Sequence, residues 1–216
     1  MSLADRIEVV RGRIASTGRD PDEVRLVAVT KGFPAATVRA VVDAGLTDIG
    51  ENYAQEMLGK VPDAPEVTWH FIGSIQRNKV AALAPIVGWW HGVDREEAGA
   101  TIAARSPGAK VLVQVNLTGG APRGGVGWGE VAALVDSLRR QDLAVRGLMG
   151  VAVHGDLTGA RRQFDRLVAV GRDLGLAEFS IGMSDDLEQA VDAGATMIRV
   201  GRALLGDRPR PRRMTG

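Results

Sequence analysis

Short, apolar runs recur along this chain, each followed by a stretch of helical periodicity, and this alternation constrains the fold more than any other feature. The first run is Arg25 to Thr30; later ones end near Gly50, Gly73, Val93, Asn116, Met149, Gly182 and Gly201. Helical patterns are predicted between them at Pro34–Ala44, Tyr53–Gly59, Arg77–Leu83, Arg95–Ala104, Trp128–Arg140, Gly159–Leu174 and Asp185–Ala193. Another helix precedes the first run, over about Leu3 to Ser16, with Leu3, Ile7, Val10 and Ile14 on one face. Runs such as Val111-Leu112-Val113-Gln114-Val115 suit parallel strands buried on both faces. Strict βα alternation implies a parallel sheet, and eight units close a ring. The expected fold is α/β: a single (β/α)8 TIM-type barrel with an extra N-terminal helix. The rival, an open doubly wound sheet, calls for a Gly-rich phosphate loop after its first strand, and Lys31-Gly32-Phe33-Pro34 is not one. The barrel spans residues 1–206, and a basic, Pro-rich tail, expected to be flexible, covers 207–216.

Composition narrows the function classes. Hydrophobic residues make up 45% of 216 residues with one Tyr and four Phe, so the core is aliphatic. The net charge of +1 offers no field for nucleic acid or a membrane surface. There is no cysteine, hence no disulfide or thiolate chemistry. The start, Met1 to Arg6, lacks a secretory h-region, and no apolar run approaches the roughly 20 residues that span a bilayer. A cytoplasmic protein is expected. The helices carry no extra apolar stripe, so a monomer is expected too.

In a barrel, chemistry sits at the C-terminal ends of the strands. Lys31 follows Leu26-Val27-Ala28-Val29-Thr30 directly. Desolvation and neighbouring cations there would free its amine as a nucleophile. Position alone favours a solvated loop lysine. The last two strand ends add weight. Gly182-Met183-Ser184-Asp185-Asp186 reads as a helix start, with Ser184 as N-cap. After Met197-Ile198-Arg199-Val200, Gly201 permits close backbone approach and Arg202 opens the next helix. Barrels often bind phosphate at these loops, and strand one adjoins strand eight. A lysine, a phosphate cup and an arginine between them suggest pyridoxal phosphate (PLP).

Longer motifs point the same way. Val29-Thr30-Lys31, Gly50-Glu51-Asn52-Tyr53, Trp69-His70-Phe71-Ile72-Gly73-Ser74-Ile75-Gln76-Arg77-Asn78-Lys79, Gly147-Leu148-Met149, Gly182 to Glu188 and Arg199-Val200-Gly201 resemble the pyridoxal phosphate homeostasis protein family. The likeness runs from about Val24 to Gly206. It implies a PLP fold type III barrel, like the N-terminal domain of alanine racemase, with Lys31 as the aldimine lysine. It also implies phosphate binding around Ser184 and the Gly201–Arg202 backbone, Arg199 facing the pyridine nitrogen, and Asn52 near the ring. This chain departs from the family pattern at Arg202, where a small hydroxyl residue is common; an arginine would offer a charge-assisted contact instead. Gly150-Val151-Ala152 replaces a small-Ile-Pro turn. Arg123 roughly replaces a common lysine within Gly119–Gly129, a Gly-rich stretch read as a mobile loop.

Two classes of function compete. Arginine stays protonated, so Arg199 would keep the pyridine nitrogen unprotonated and the cofactor a weak electron sink. Racemisation needs acid/base groups on both faces of a substrate. In alanine racemases the second is a tyrosine from a separate β domain, whereas Tyr53, the one tyrosine here, belongs to the barrel. The expected function is therefore a PLP carrier for intracellular PLP homeostasis, without robust turnover and with no catalytic residue, its partners being PLP and PLP-dependent apoenzymes. The alternative is a PLP-dependent amino-acid racemase-like enzyme. A third reading, a metal hydrolase using His70, His91 and His154, is geometrically open but lacks a ligand motif, so no metal is expected. Asp185-Asp186 and Glu96-Glu97 read as helix-start acids.

Overall fold

A computed structural model describes residues 1–64, 66–119 and 124–208. Its elements run α1 (Leu3–Ala15), β1 (Arg25–Val29), α2 (Ala35–Asp43), β2 (Asp48–Glu51), α3 (Ala54–Lys60), β3 (Thr68–Phe71), α4 (Arg77–Leu83), β4 (Val87–Val93), α5 (Glu96–Ala103), β5 (Lys110–Val115), α6 (Val131–Arg140), β6 (Ala144–Gly150), α7 (Leu157–Asp173), β7 (Glu178–Ser180), α8 (Leu187–Ala193), β8 (Met197–Val200) and α9 (Arg202–Leu205). All eight strands are parallel in the order β1 to β8, and β1 closes on β8 with Val27 opposite Arg199. The expected closed barrel and its extra N-terminal helix are what the chain forms. Arg123 and residues 209–216 of the tail lie outside the described residues.

Period-2 alternation sorts each strand into two faces. Leu26, Ala28, Ile49, Trp69, Phe71, Trp90, Val111, Val113 and Ile198 join the outer core under the helices. Val27, Trp89, Leu112, Met149 and Met197 form a smaller inner cluster, which fills the lumen with side chains. Each helix buries its apolar stripe on the sheet; α7, for example, buries Ala160, Phe164, Leu167 and Val168. Gly147 allows strands β6 and β7 to meet: a Cβ there would lie 1.6 Å from the Glu178 carbonyl oxygen.

Helix starts differ from the sequence expectation in one functional place. Ser184 does not cap α8. Asp186 occupies the cap position, and its Oδ1 accepts the Met183 N–H at 2.6 Å. The Asp186 carboxylate thus tightens the β7–α8 turn and leaves the Ser184 hydroxyl for another partner.

Candidate functional site

The strand ends converge on a cleft of about 340 Å³ lined by Val29, Lys31, Asn52, Ile72, Met149, Val151, Met183, Ser184, Asp185, Arg199, Gly201, Arg202 and Arg208. Cofactor pockets typically run about 300–1,000 Å³ and combine apolar walls with a few aimed polar groups. All six residues singled out from the sequence, Lys31, Asn52, Ser184, Arg199, Gly201 and Arg202, line it. Closure of β1 on β8 causes this, because it sets the exit of β1 beside the exit of β8.

Lys31 leaves the end of β1 into this cleft. Burial holds its pKa below the usual lysine value, and Arg208 and Arg199 push it further down, against Glu51 and Glu56. Its backbone is held on both sides. The Thr30 carbonyl accepts from Lys60 Nζ at 2.8 Å, and the Gly32 N–H donates to Glu56 Oε2 at 2.7 Å. Lys60 also donates to Glu51 Oε1 at 2.5 Å, and the Thr30 hydroxyl donates to the same oxygen at 2.6 Å. Lys60 and Glu51 are both buried, an ion pair directly beneath the lysine.

Arg199 is 4% exposed and held by acceptors on two strands. Nη1 donates to the Ser180 carbonyl at 2.6 Å and to Ser180 Oγ at 2.7 Å, and Nη2 to the Gly150 carbonyl at 2.9 Å. Burial lowers its pKa to about 10, with Asp186 opposing, so it remains a cation at neutral pH. At the other wall, Asn52 Oδ1 is buried with no partner among the described residues, an acceptor that a bound group would satisfy.

The β7–α8 and β8–α9 loops meet across the cleft. Ser184 Oγ accepts the Ala203 N–H at 3.2 Å, which ties the β7–α8 loop to the start of α9. From α1, Arg13 donates to the Ser184 carbonyl at 2.9 Å while gripping both oxygens of Glu188. Arg202 pairs with Asp185, whose pKa is lowered mainly by that hydrogen bond. The family departure at Arg202 therefore has an internal partner one loop away.

The histidines do not gather. His154 is exposed, 3.5 Å from Asp185, whereas His70 and His91 are buried side by side inside the barrel at 2.9 Å. A site shared by all three is thereby overturned. Sequence reasoning also missed functional neighbours. Arg208, read as part of a flexible tail, lies against Gly32, its Cδ 3.1 Å from where a Cβ would stand. Lys60 carried one signal, its i,i+4 spacing from Glu56, but such pairs are usually solvated.

Comparison with known proteins bears on this site. The family described as "Alanine racemase, N-terminal domain" matches residues 2–209. A pyridoxal phosphate homeostasis protein of Pseudomonas aeruginosa is 39% identical over 96% of this chain and 96% of its own length. The protein of that name from Escherichia coli is 33% identical over 95% of this chain and 97% of its own. Among solved structures, PipY of Synechococcus elongatus with PLP bound superposes with a TM-score of 0.82 at 32% identity, covering 95% of this chain and all of that one. A chlorella virus arginine decarboxylase shares the fold alone, with a TM-score of 0.73 at 11% identity over 62% of its length.

Proposed function

The chain belongs to the pyridoxal phosphate homeostasis protein family, built on the alanine racemase N-terminal domain, and from that premise we propose that it holds PLP on Lys31 and serves intracellular PLP homeostasis without robust turnover. The observation that carries this is the Lys31 amine, half-buried at the end of β1 with its pKa depressed, in a cleft walled by Arg199 and by Asn52 Oδ1, which has no partner among the described residues. PLP supplies an aldehyde for a primary amine, a phosphate dianion and a ring nitrogen that accepts a hydrogen bond.

Each demand has a candidate in this chain. Lys31 offers the amine for a Schiff base. Ser184, the Gly201–Arg202 backbone and the Arg202 guanidinium, all lining the cleft, are the candidates for the phosphate, with Arg208 adding charge. Arg199 is the donor for the ring nitrogen and Asn52 a neighbour of the ring. Because Arg199 keeps its proton, a nitrogen facing it stays unprotonated and stabilises carbanions poorly. Tyr53, the one tyrosine, is 60% exposed, which supports a carrier over a two-base racemase.

The reading extends to delivery of PLP to PLP-dependent apoenzymes by a monomer in the cytoplasm. No described helix is long and apolar enough to cross a membrane. Adding PLP to the purified protein tests the central claim. A visible absorption band is expected, lost in Lys31→Ala and converted by borohydride to a stable adduct on the Lys31 peptide. A protein that stays colourless with PLP refutes it. Sustained α-proton exchange from amino acids in deuterated water would favour the racemase instead.

A further inference from the structure

A chain of polar groups runs through the lumen from the cofactor cleft to the opposite end of the barrel. Arg199 Nη1 lies 2.7 Å from Ser180 Oγ, which lies 3.0 Å from His91 Nδ1. His91 Nε2 is 2.9 Å from His70 Nδ1, and His70 Nε2 is 2.8 Å from Asp48 Oδ1. Ser180, His91 and His70 are fully buried. Asp48 opens β2 at the N-terminal end of the barrel, where it lines a separate cleft of about 460 Å³ with Arg25 and Glu178.

The chain has one direction. A carboxylate only accepts, so His70 Nε2 carries hydrogen and donates to Asp48. Both imidazoles are neutral. Burial is the main force against protonating either; for His91 the neighbouring His70, then Arg199 and Arg25, add to it, and for His70 Asp48 pulls the other way against Arg25 and Lys110. With His70 neutral, its Nδ1 accepts from His91 Nε2. His91 Nδ1 then accepts the Ser180 hydroxyl, whose oxygen accepts from Arg199. Each hydrogen that bridges two members of the line meets an acceptor, and reversing any member would set two donors or two acceptors face to face.

Barrel interiors are usually filled by branched aliphatic side chains. A line of buried polar groups is a poor choice for stability alone, since apolar side chains of similar volume do as well or better. We propose that Ser180, His91, His70 and Asp48 are positioning residues for Arg199: a one-way hydrogen-bond chain that fixes the guanidinium toward the ring nitrogen of PLP and couples the cofactor site to the floor of the barrel. This rests on the PLP reading of the cleft. The chain fixes which acceptors Arg199 uses below, and so which N–H groups remain for a ligand above.

The first test needs no cofactor. Nitrogen-15 NMR of the protein without PLP should find both His70 and His91 as neutral Nε2–H tautomers at neutral pH. The side-chain N–H signals of Arg199 should be protected from exchange, and Ser180→Ala should abolish that protection. The second test reads PLP binding. Ser180→Ala is expected to raise the PLP dissociation constant about tenfold or more and to shift the bound-cofactor absorption. Asp48→Leu, remote from PLP, should move both in the same direction by a smaller factor. Asp48→Asn, which keeps an acceptor oxygen, should restore wild-type values. Other tautomers, or unchanged affinity and spectrum in Ser180→Ala and Asp48→Leu, would overturn the chain. If the wild type took up no PLP, the cofactor reading would fall, and the tautomers and Arg199 exchange would decide the chain on their own.

Discussion

Replacing Lys60 with methionine isolates the ion pair beneath Lys31. Lys60 is 4% exposed and Glu51 fully buried, and their charged atoms lie 2.5 Å apart. The second Glu51 oxygen has no partner among the described residues. Methionine keeps the apolar stem but removes the ammonium and its bonds to Glu51 and the Thr30 carbonyl. Removing one partner of a buried pair costs about 3–5 kcal/mol, because the other charge is stranded. Glu51 can escape part of this by taking a proton, so the lower end, about 3 kcal/mol, is expected. At about 2–4 °C per kcal/mol for a chain of this size, the melting temperature should fall by about 6–12 °C.

The pH dependence has a definite sign. Burial holds the Glu51 carboxyl above its ordinary pKa, against hydrogen bonds from Lys60 and Thr30. Such a group binds more protons folded than unfolded, so its contribution to stability is largest below the unfolded pKa of about 4.3 and declines as pH rises toward the folded pKa. Without Lys60 the folded pKa moves further up, and the decline extends to higher pH. The Lys60→Met penalty should therefore be smaller near pH 5 than near pH 8. Adding Glu51→Gln should recover at least about 1 kcal/mol, since no charge is left stranded. Urea titrations of the four proteins of this double-mutant cycle, at both pH values, measure all of this. A single-variant cost under about 1 kcal/mol, a penalty that does not grow with pH, or a double variant no more stable than Lys60→Met would mean that Glu51 is not left as a stranded buried charge.

Two further substitutions probe the cleft. Burial is the main cause of the depressed Lys31 pKa, with Arg208 next; Arg208→Gln should let it rise, so that stopped-flow absorbance shows the pH midpoint of PLP uptake moved upward. Gly73→Ala would put a Cβ 2.1 Å from the Asn52 carbonyl oxygen, a backbone atom that cannot turn aside; a loss of about 1–3 kcal/mol in thermal denaturation is expected, together with weaker PLP binding by fluorescence titration.

The barrel was legible in the sequence because its signal is local. A run such as Val111 to Val115, apolar but for the half-buried Gln114, suits a strand buried on both faces, and eight such runs alternating with amphipathic stretches close into a ring. Lys31 was legible as a candidate because it ends a run with no other charge inside it. What escaped was partnership across the ring. Ser184 carries the residue type and spacing of a helix cap, yet Asp186 two residues on takes the cap and Ser184 turns to Ala203 in the first turn of α9. Those choices are made by tertiary contact, not propensity.

The histidines make the point more sharply. Trp69-His70-Phe71 and Trp89-Trp90-His91 read as strand segments with a polar residue among aromatics, and period 2 says only that each histidine faces away from its neighbours. Which side is the lumen, and what waits there, depends on register: His70 stands opposite Trp89, after a shift between Trp69 and His70, and the ring of Trp89 stacks over His70 with centroids 6.1 Å apart. A slip of one residue in β4 would send His91 out to the helices and draw Trp90 inward. His91 and Ser180 are 89 residues apart in sequence and 3.0 Å apart in space. A buried relay of this kind is written in the closure of the sheet, and so its residues look like ordinary strand positions until the ring is complete.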